Sequence, residues 1–95
     1  MKKSLVIDDQ AVTAEDWTEG PPSAFAKLFK EPELVPVGSA QFRTDQPIAT
    51  RQRVCLAGEE RIARVRGSVR SQDGGYRHKA VLFKPVTSLD ANRST

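Results

Sequence analysis

The stretch that decides the fold is RQRVCLAGEERIARVRGSVRSQDGGYRHKAVLFK, residues 51–84. Polar and apolar residues alternate in three segments of it, which is typical of β-strands with one buried face. Gly58-Glu59 fits a tight turn between the first two segments, and Asp73-Gly74-Gly75 is a strong hairpin signal between the last two. The stretch therefore predicts a three-stranded antiparallel meander.

Two-residue loops in this meander would separate the basic residues from the apolar ones. They would place Arg53 opposite Arg64 and Arg77 opposite Arg70, and successive side chains of a strand point to opposite faces. One face of the predicted sheet then carries Arg51, Arg53, Arg64, Arg66, Arg70, Arg77 and Lys79. The opposite face, the predicted core, carries Val54, Leu56, Ala63, Val65, Val69, Ala80 and Leu82.

The N-terminal part predicts one strand and one helix. Residues 4–8 have the β-branched, apolar character of a short buried strand. Residues 13–16 have the form of a capping box, which predicts a helical turn carrying Trp17. Phe25, Leu28 and Phe29 share one face at helical spacing, so residues 24–30 are predicted to form a short helix. This helix is expected to cover one face of the sheet, with Phe83 beneath it.

The segment between this helix and the meander is predicted to be extended. Pro36 within residues 33–43 predicts an edge strand, because proline cannot donate to a ladder. The fold class that follows is α+β: an antiparallel, meander-rich sheet of four or five strands with one short covering helix. A single domain is predicted over residues 1–87, followed by a flexible tail over 88–95.

Charge divides the predicted domain in two. Residues 1–42 contain four lysines and seven acids, a net charge of −3. Residues 43–95 contain eleven Lys or Arg and five acids, a net charge of +6, and nine of the eleven are arginine. An acidic N-terminal part (1–42) thus precedes a basic meander (43–87), which points to a polyanionic or acidic partner.

The basic face predicts non-catalytic binding of nucleic acid, DNA or RNA. Clustered like charges on a sheet are destabilising, and the arginine fork suits phosphates. Tyr76 and His78 lie in the same hairpin and could read a base. The predicted nucleic-acid-binding residues are Arg51, Arg53, Arg64, Arg66, Arg70, Tyr76, Arg77, His78 and Lys79. The alternative is a small inhibitor or adaptor protein. It would bind another protein through its charged surface, for example with the arginine face against an acidic surface of the partner.

Catalysis is the weaker alternative. One histidine and one cysteine cannot supply a usual zinc ligand set, and no signature supports a Cys55–His78 nucleophile and base. No cofactor or metal is predicted. A metal-independent, toxin-type ribonuclease remains open, because charge stabilisation by the hairpin cations and acid–base chemistry at His78 could cleave RNA.

The sequence predicts a cytoplasmic protein without membrane contact. The lone cysteine cannot form an intramolecular disulfide, and no apolar run approaches the length of a signal core or a membrane span. A homodimer through a sheet edge, at residues 35–37 or 76–84, is left open.

Overall fold

The fold is a closed, six-stranded antiparallel β-barrel. The computed structural model describes residues 1–22, 24–29 and 33–86, so the predicted tail lies outside the described residues. The strands are β1 (Lys3–Ile7), β2 (Gln10–Gly20), β3 (Leu34–Thr44), β4 (Arg53–Leu56), β5 (Ile62–Arg70) and β6 (Tyr76–Pro85). Their order around the barrel is β1-β2-β3-β6-β5-β4. The predicted α+β class, with four or five strands and a covering helix, is therefore wrong.

Pairing of β1 with β4 closes the barrel. Leu5 lies opposite Leu56, and Val6 lies opposite Cys55. Closure gives each strand two neighbours and removes the open edges of a flat sheet. Strand β3 lies between β2 and β6, and β6 lies between β3 and β5. Of the two edges proposed from the sequence for a dimer, residues 76–84 pair on both sides, with β3 and β5, whereas residues 35–37 pair only with β6.

Three register shifts bend the strands around the barrel. They fall between Glu15 and Thr18 in β2, between Pro36 and Gly38 in β3, and between Val65 and Gly67 in β5. A β-bulge places two residues opposite one and increases the local bend and twist. Pro36 has a partner in β6, Phe83, but none in β2, whose pairing with β3 begins at Ser39, so this part of β3 is an edge, as proline requires.

The predicted helical turn at residues 13–16 is wrong, because these residues lie within β2. Asp8 and Asp9 both have positive φ, 50° and 66°, and form the turn that folds β2 back onto β1. The strand then runs on to Gly20, and Trp17 is buried inside the barrel with its ring centroid 5.1 Å from that of Phe42. Strand pairing has overridden the local capping signal.

The predicted helix over 24–30 is also corrected. Residues Ala24–Leu28 form a single short 3-10 helix, and residue 30 lies outside the described residues. A 3-10 segment of this length is a connector, not a helix able to cover a sheet. The expected contact is nevertheless present, because Phe29 and Phe83 pack edge to face with centroids 6.0 Å apart.

The core has two parts, one on each side of the barrel wall. The inner cluster fills the barrel with Leu5, Ala14, Trp17, Ala40, Phe42, Ile48, Val54, Leu56, Ala63, Val65, Ala80 and Leu82. The outer cluster lies beneath the 3-10 segment and consists of Ala26, Phe29, Leu34, Ile62, Val81 and Phe83. Six of the seven residues predicted for the core face are in the inner cluster, and the seventh, Val69, is 66% exposed.

Candidate nucleic-acid interface

The meander is present, but only one of its two hairpins has the predicted register. Arg53 lies opposite Arg64, as predicted. In the second hairpin Arg70 pairs with Tyr76 and not with Arg77. The residues between β5 and β6 are 71–75, and Gly74 and Gly75 both have positive φ there. A five-residue loop in place of a two-residue turn moves the register.

The bulge in β5 reverses which side chains face outward. Before it, Ala63 and Val65 are buried in the barrel; after it, Ser68 faces inward and Val69 faces outward. The predicted single alternation along β5 is therefore wrong beyond Val65. Arg70 is two residues after Ser68, so its side chain is on the same side of the strand, at the end of the barrel.

Five basic side chains remain together outside β4, β5 and β6. Arg66 and Gly67 both oppose Lys79 at the bulge, so Arg66 is on the outer side with Lys79. Arg53, Arg64 and Arg77 are next in sequence to buried residues, so alternation along their strands also places them on the outer side. This surface, called here the basic outer face, carries Arg53, Arg64, Arg66, Arg77 and Lys79.

The other predicted basic and aromatic residues lie at the margins of this face. Arg51 is exposed at a bend before β4, with φ of 73°, and its backbone N–H donates to the Val65 carbonyl at 2.6 Å. Arg70 is exposed and Tyr76 half-buried where β5 and β6 meet their loop. On the face itself, the Arg64 guanidinium lies 5.9 Å from the Phe29 ring centroid, which ties it to the outer cluster.

His78 is inside the barrel and is only 1% exposed. Its ring nitrogens lie 2.7 Å from the Ser68 and the Thr44 hydroxyl oxygens. The Thr44 hydroxyl donates to the Gln46 carbonyl, so it accepts from Nε2–H. In the neutral ring the Ser68 hydroxyl then donates to Nδ1 at 2.7 Å in preference to the Ile48 carbonyl at 3.3 Å. Burial lowers the pKa of His78 below its ordinary value of 6.5, which favours this neutral form. Both ring nitrogens are therefore occupied by internal hydrogen bonds, and almost none of the residue is exposed to a ligand.

Acidic residues of β2 pair with arginines that the sequence reasoning did not select. Glu15 bonds Arg43 at 2.7 Å, which lowers the pKa of Glu15. Glu19 accepts two hydrogen bonds from Arg61, at 2.8 and 3.1 Å, and one from the Trp17 indole. Hydrogen bonds from Arg61 and then Trp17 lower the pKa of Glu19 to about 2.

The Arg61 network also closes the loop between β4 and β5. Arg61 Nε donates to Glu59 at 2.7 Å, and Lys3 pairs with the same carboxylate. These bonds lower the pKa of Glu59. Arg43 also pairs with Asp73 at 3.2 Å, so the ion pairs of Arg43 and Arg61 join β1, β2 and β3 to the two meander loops.

The acidic residues leave part of the basic outer face uncovered. Asp16 lies 3.8 Å from Arg77, and both side chains are more than half exposed, so this contact is weak. Within the part of the chain that the structure describes, Arg51, Arg53, Arg70 and Lys79 form no ion pair. The two halves of opposite charge therefore neutralise each other only in part.

A groove interrupts the outer surface of β5 at Gly67. Its volume is about 300 Å³, and it is lined by Gln41, Phe42, Gly67, Ser68, Val69, Arg77, His78 and Lys79. The groove exists because Gly67, opposite Lys79, has no side chain. Sequence reasoning did not identify this groove, although an isolated glycine in a strand pattern indicates a bulge or a close approach.

Within residues 1–22, 24–29 and 33–86, no group of three His, Cys, Asp or Glu side chains could hold a metal ion. No helix in those ranges is long and apolar enough to cross a membrane. The chain matches no protein-family model, and no curated protein or solved structure is significantly similar to it.

Proposed function

We propose that the protein binds nucleic acid without catalysis, through the basic outer face and the adjoining Arg51. The observation that carries the proposal is the distribution of ion pairs. Acids of β2 are held by Arg43 and Arg61, whereas Arg51, Arg53 and Lys79 are exposed without an ion pair among the described residues.

Charge arrangement explains how such a face would bind. Three adjacent strands hold the cations in fixed rows, with Arg53 beside Arg64 and Lys79 beside Arg66 across the strand pairs. Adjacent like charges on strands repel, and phosphate oxygens bridging them would remove that repulsion. The scaffold is rigid and closed, so little conformational entropy would be lost on binding.

The location of His78 favours binding over the ribonuclease alternative. A general base must be within hydrogen-bond reach of the proton that it removes, and His78 is enclosed with both nitrogens bonded. His78 is therefore left out of the proposed surface, and Tyr76 and Arg70 are placed at its margin.

A salt titration tests this proposal. Fluorescence anisotropy would measure binding of short single-stranded and duplex DNA and RNA to the wild type and to an Arg53→Glu, Lys79→Glu variant. Three to four neutralised phosphates would give a slope of about −3 in log affinity against log salt, and the variant would flatten it. The matched control is Lys2→Glu, Lys84→Glu, which changes net charge equally at exposed positions away from this face.

The control decides whether location matters as well as net charge. Equal losses in both double variants would mean that the basic outer face has no special role. An absence of binding at low salt would refute the proposal and favour an acidic protein surface as the partner of the same cations.

A further inference from the structure

The Gly67 groove differs from the rest of the basic outer face in offering a recess beside the cations. Val69 forms an apolar wall and is 66% exposed, although its partner across the strand pair is the charged Arg77. Exposed apolar side chains next to a concave site often mark ligand contacts. The recess therefore suits a flat group, and its charged rim suits an anion.

The lining groups match the parts of a nucleotide. The Arg77 guanidinium is planar and can stack on a base, and Val69 can contact the face of the same ring. Gln41 lies opposite Lys79 in the neighbouring strand pair, and its amide can both donate to and accept from a base edge. Lys79 supplies a charge for the phosphate.

We propose that the Gly67 groove receives one unstacked nucleobase of a single-stranded nucleic acid, while the surrounding cations hold its phosphates. This inference rests on the proposed function and narrows its ligand. Bases within a duplex are stacked and paired, so they present no free face to such a groove. The weak Arg77–Asp16 contact, between two exposed groups 3.8 Å apart, would give way to the phosphate.

Gly67 also provides a clean way to fill the groove. A Cβ at this position meets no atom within 4 Å, and the backbone is not in the left-handed region. Gly67→Val should therefore occupy the recess without strain, and valine suits a strand. The control is Ser4→Val, at an exposed position on β1, the strand opposite β6 in the barrel order.

The experiment compares three probes of equal length: a single-stranded oligonucleotide, the same backbone without bases, and a duplex. The wild type is expected to bind the base-bearing single strand about tenfold more tightly than the abasic strand. Gly67→Val should abolish that preference and leave abasic affinity unchanged, and Ser4→Val should behave as the wild type. Thermal unfolding would show that both variants are folded.

Two results would overturn the inference, and they differ in what they say about the proposed function. Equal affinity for base-bearing and abasic strands, or a preference that survives in Gly67→Val, removes the base site but leaves phosphate binding intact. No binding of any of the three probes at low salt removes both.

Discussion

Acidification should destabilise the barrel through His78, the only histidine in the chain. Its ring is buried and bonded to the Ser68 and Thr44 hydroxyls, and burial holds its pKa below 6.5. The unfolded chain therefore binds a proton more readily than the folded one between the lowered pKa and 6.5. Stability is fully present above pH 6.5 and is lost as pH falls towards the lowered pKa.

One proton sets the size of the effect. The slope cannot exceed about 1.4 kcal/mol per pH unit for a single group, so the free energy of unfolding should fall by at most about 1.4 kcal/mol between about pH 7.5 and pH 5.5. For a chain of 95 residues this upper limit corresponds to a melting temperature lower by roughly 6–11 °C. Carboxyl groups with lowered pKa, such as Glu19, have ordinary values of 4.5 or less and act below this window.

The assay is urea denaturation at several pH values, with His78→Asn as the variant that cannot titrate. The wild type should lose stability across the window and the variant should not. An NMR titration of the His78 ring in the wild type gives a second reading that does not depend on the variant folding. The reasoning is refuted if the ring titrates at or above 6.5, or if both proteins show the same pH dependence.

Three further predictions concern stability. Arg61→Ala should cost about 1–2 kcal/mol of unfolding free energy, because Glu19 loses its paired hydrogen bonds. An equal loss at pH 2, where the Glu19 carboxyl group is becoming protonated, would contradict this origin. Gly75→Ala should cost at least about 2 kcal/mol in thermal unfolding, because φ is 74° and the added Cβ would lie 2.8 Å from the Thr44 carbonyl oxygen. An unchanged stability would exclude this loop geometry. Phe29→Ala should cost about 3 kcal/mol by chemical denaturation, because it empties the outer cluster, and an unchanged midpoint would show that the 3-10 segment does not pack there.

Local patterns predicted the strands of the meander better than their assembly. Alternation of apolar residues correctly identified β5 and β6, and the register at Arg53 and Arg64 was confirmed. Barrel closure depends on pairing of β1 with β4, which are about 50 residues apart, and no local signal encodes such a contact. Residues 13–16 lie in β2 against their capping pattern because Thr13 and Ala14 pair with β1 and Glu15 pairs with β3.

The sequence predicted the candidate site correctly only where the alternation of inward and outward side chains is regular, which along β5 means as far as Val65. A bulge at Arg66 adds one residue, so Val69 turns outward and Ser68 turns inward to meet His78. Periodicity assumes an unbroken period of two, and a single inserted residue reverses every later assignment. Gly67 within the strand was the one sequence signal that could have placed the bulge.

The burial of His78 could not be predicted from its neighbours in the sequence. Arg77 and Lys79 flank it and face outward, as alternation requires. Its acceptance in the interior depends on the Thr44 and Ser68 hydroxyls, which the neighbouring strands β3 and β5 bring to its two nitrogens. A polar residue predicted to read bases is thus an internal hydrogen-bonding group.

Mapping of an oligonucleotide onto the protein by NMR tests the central claim most directly. A short single strand would be added to the isotope-labelled chain at low salt, and backbone amide shifts would be followed residue by residue. The account predicts that the largest shifts cluster on the outer side of β4–β6, from Arg53 to Lys79 and around Gly67. Shifts centred on β1 and β2, or spread evenly over all exposed lysines and arginines, would contradict it.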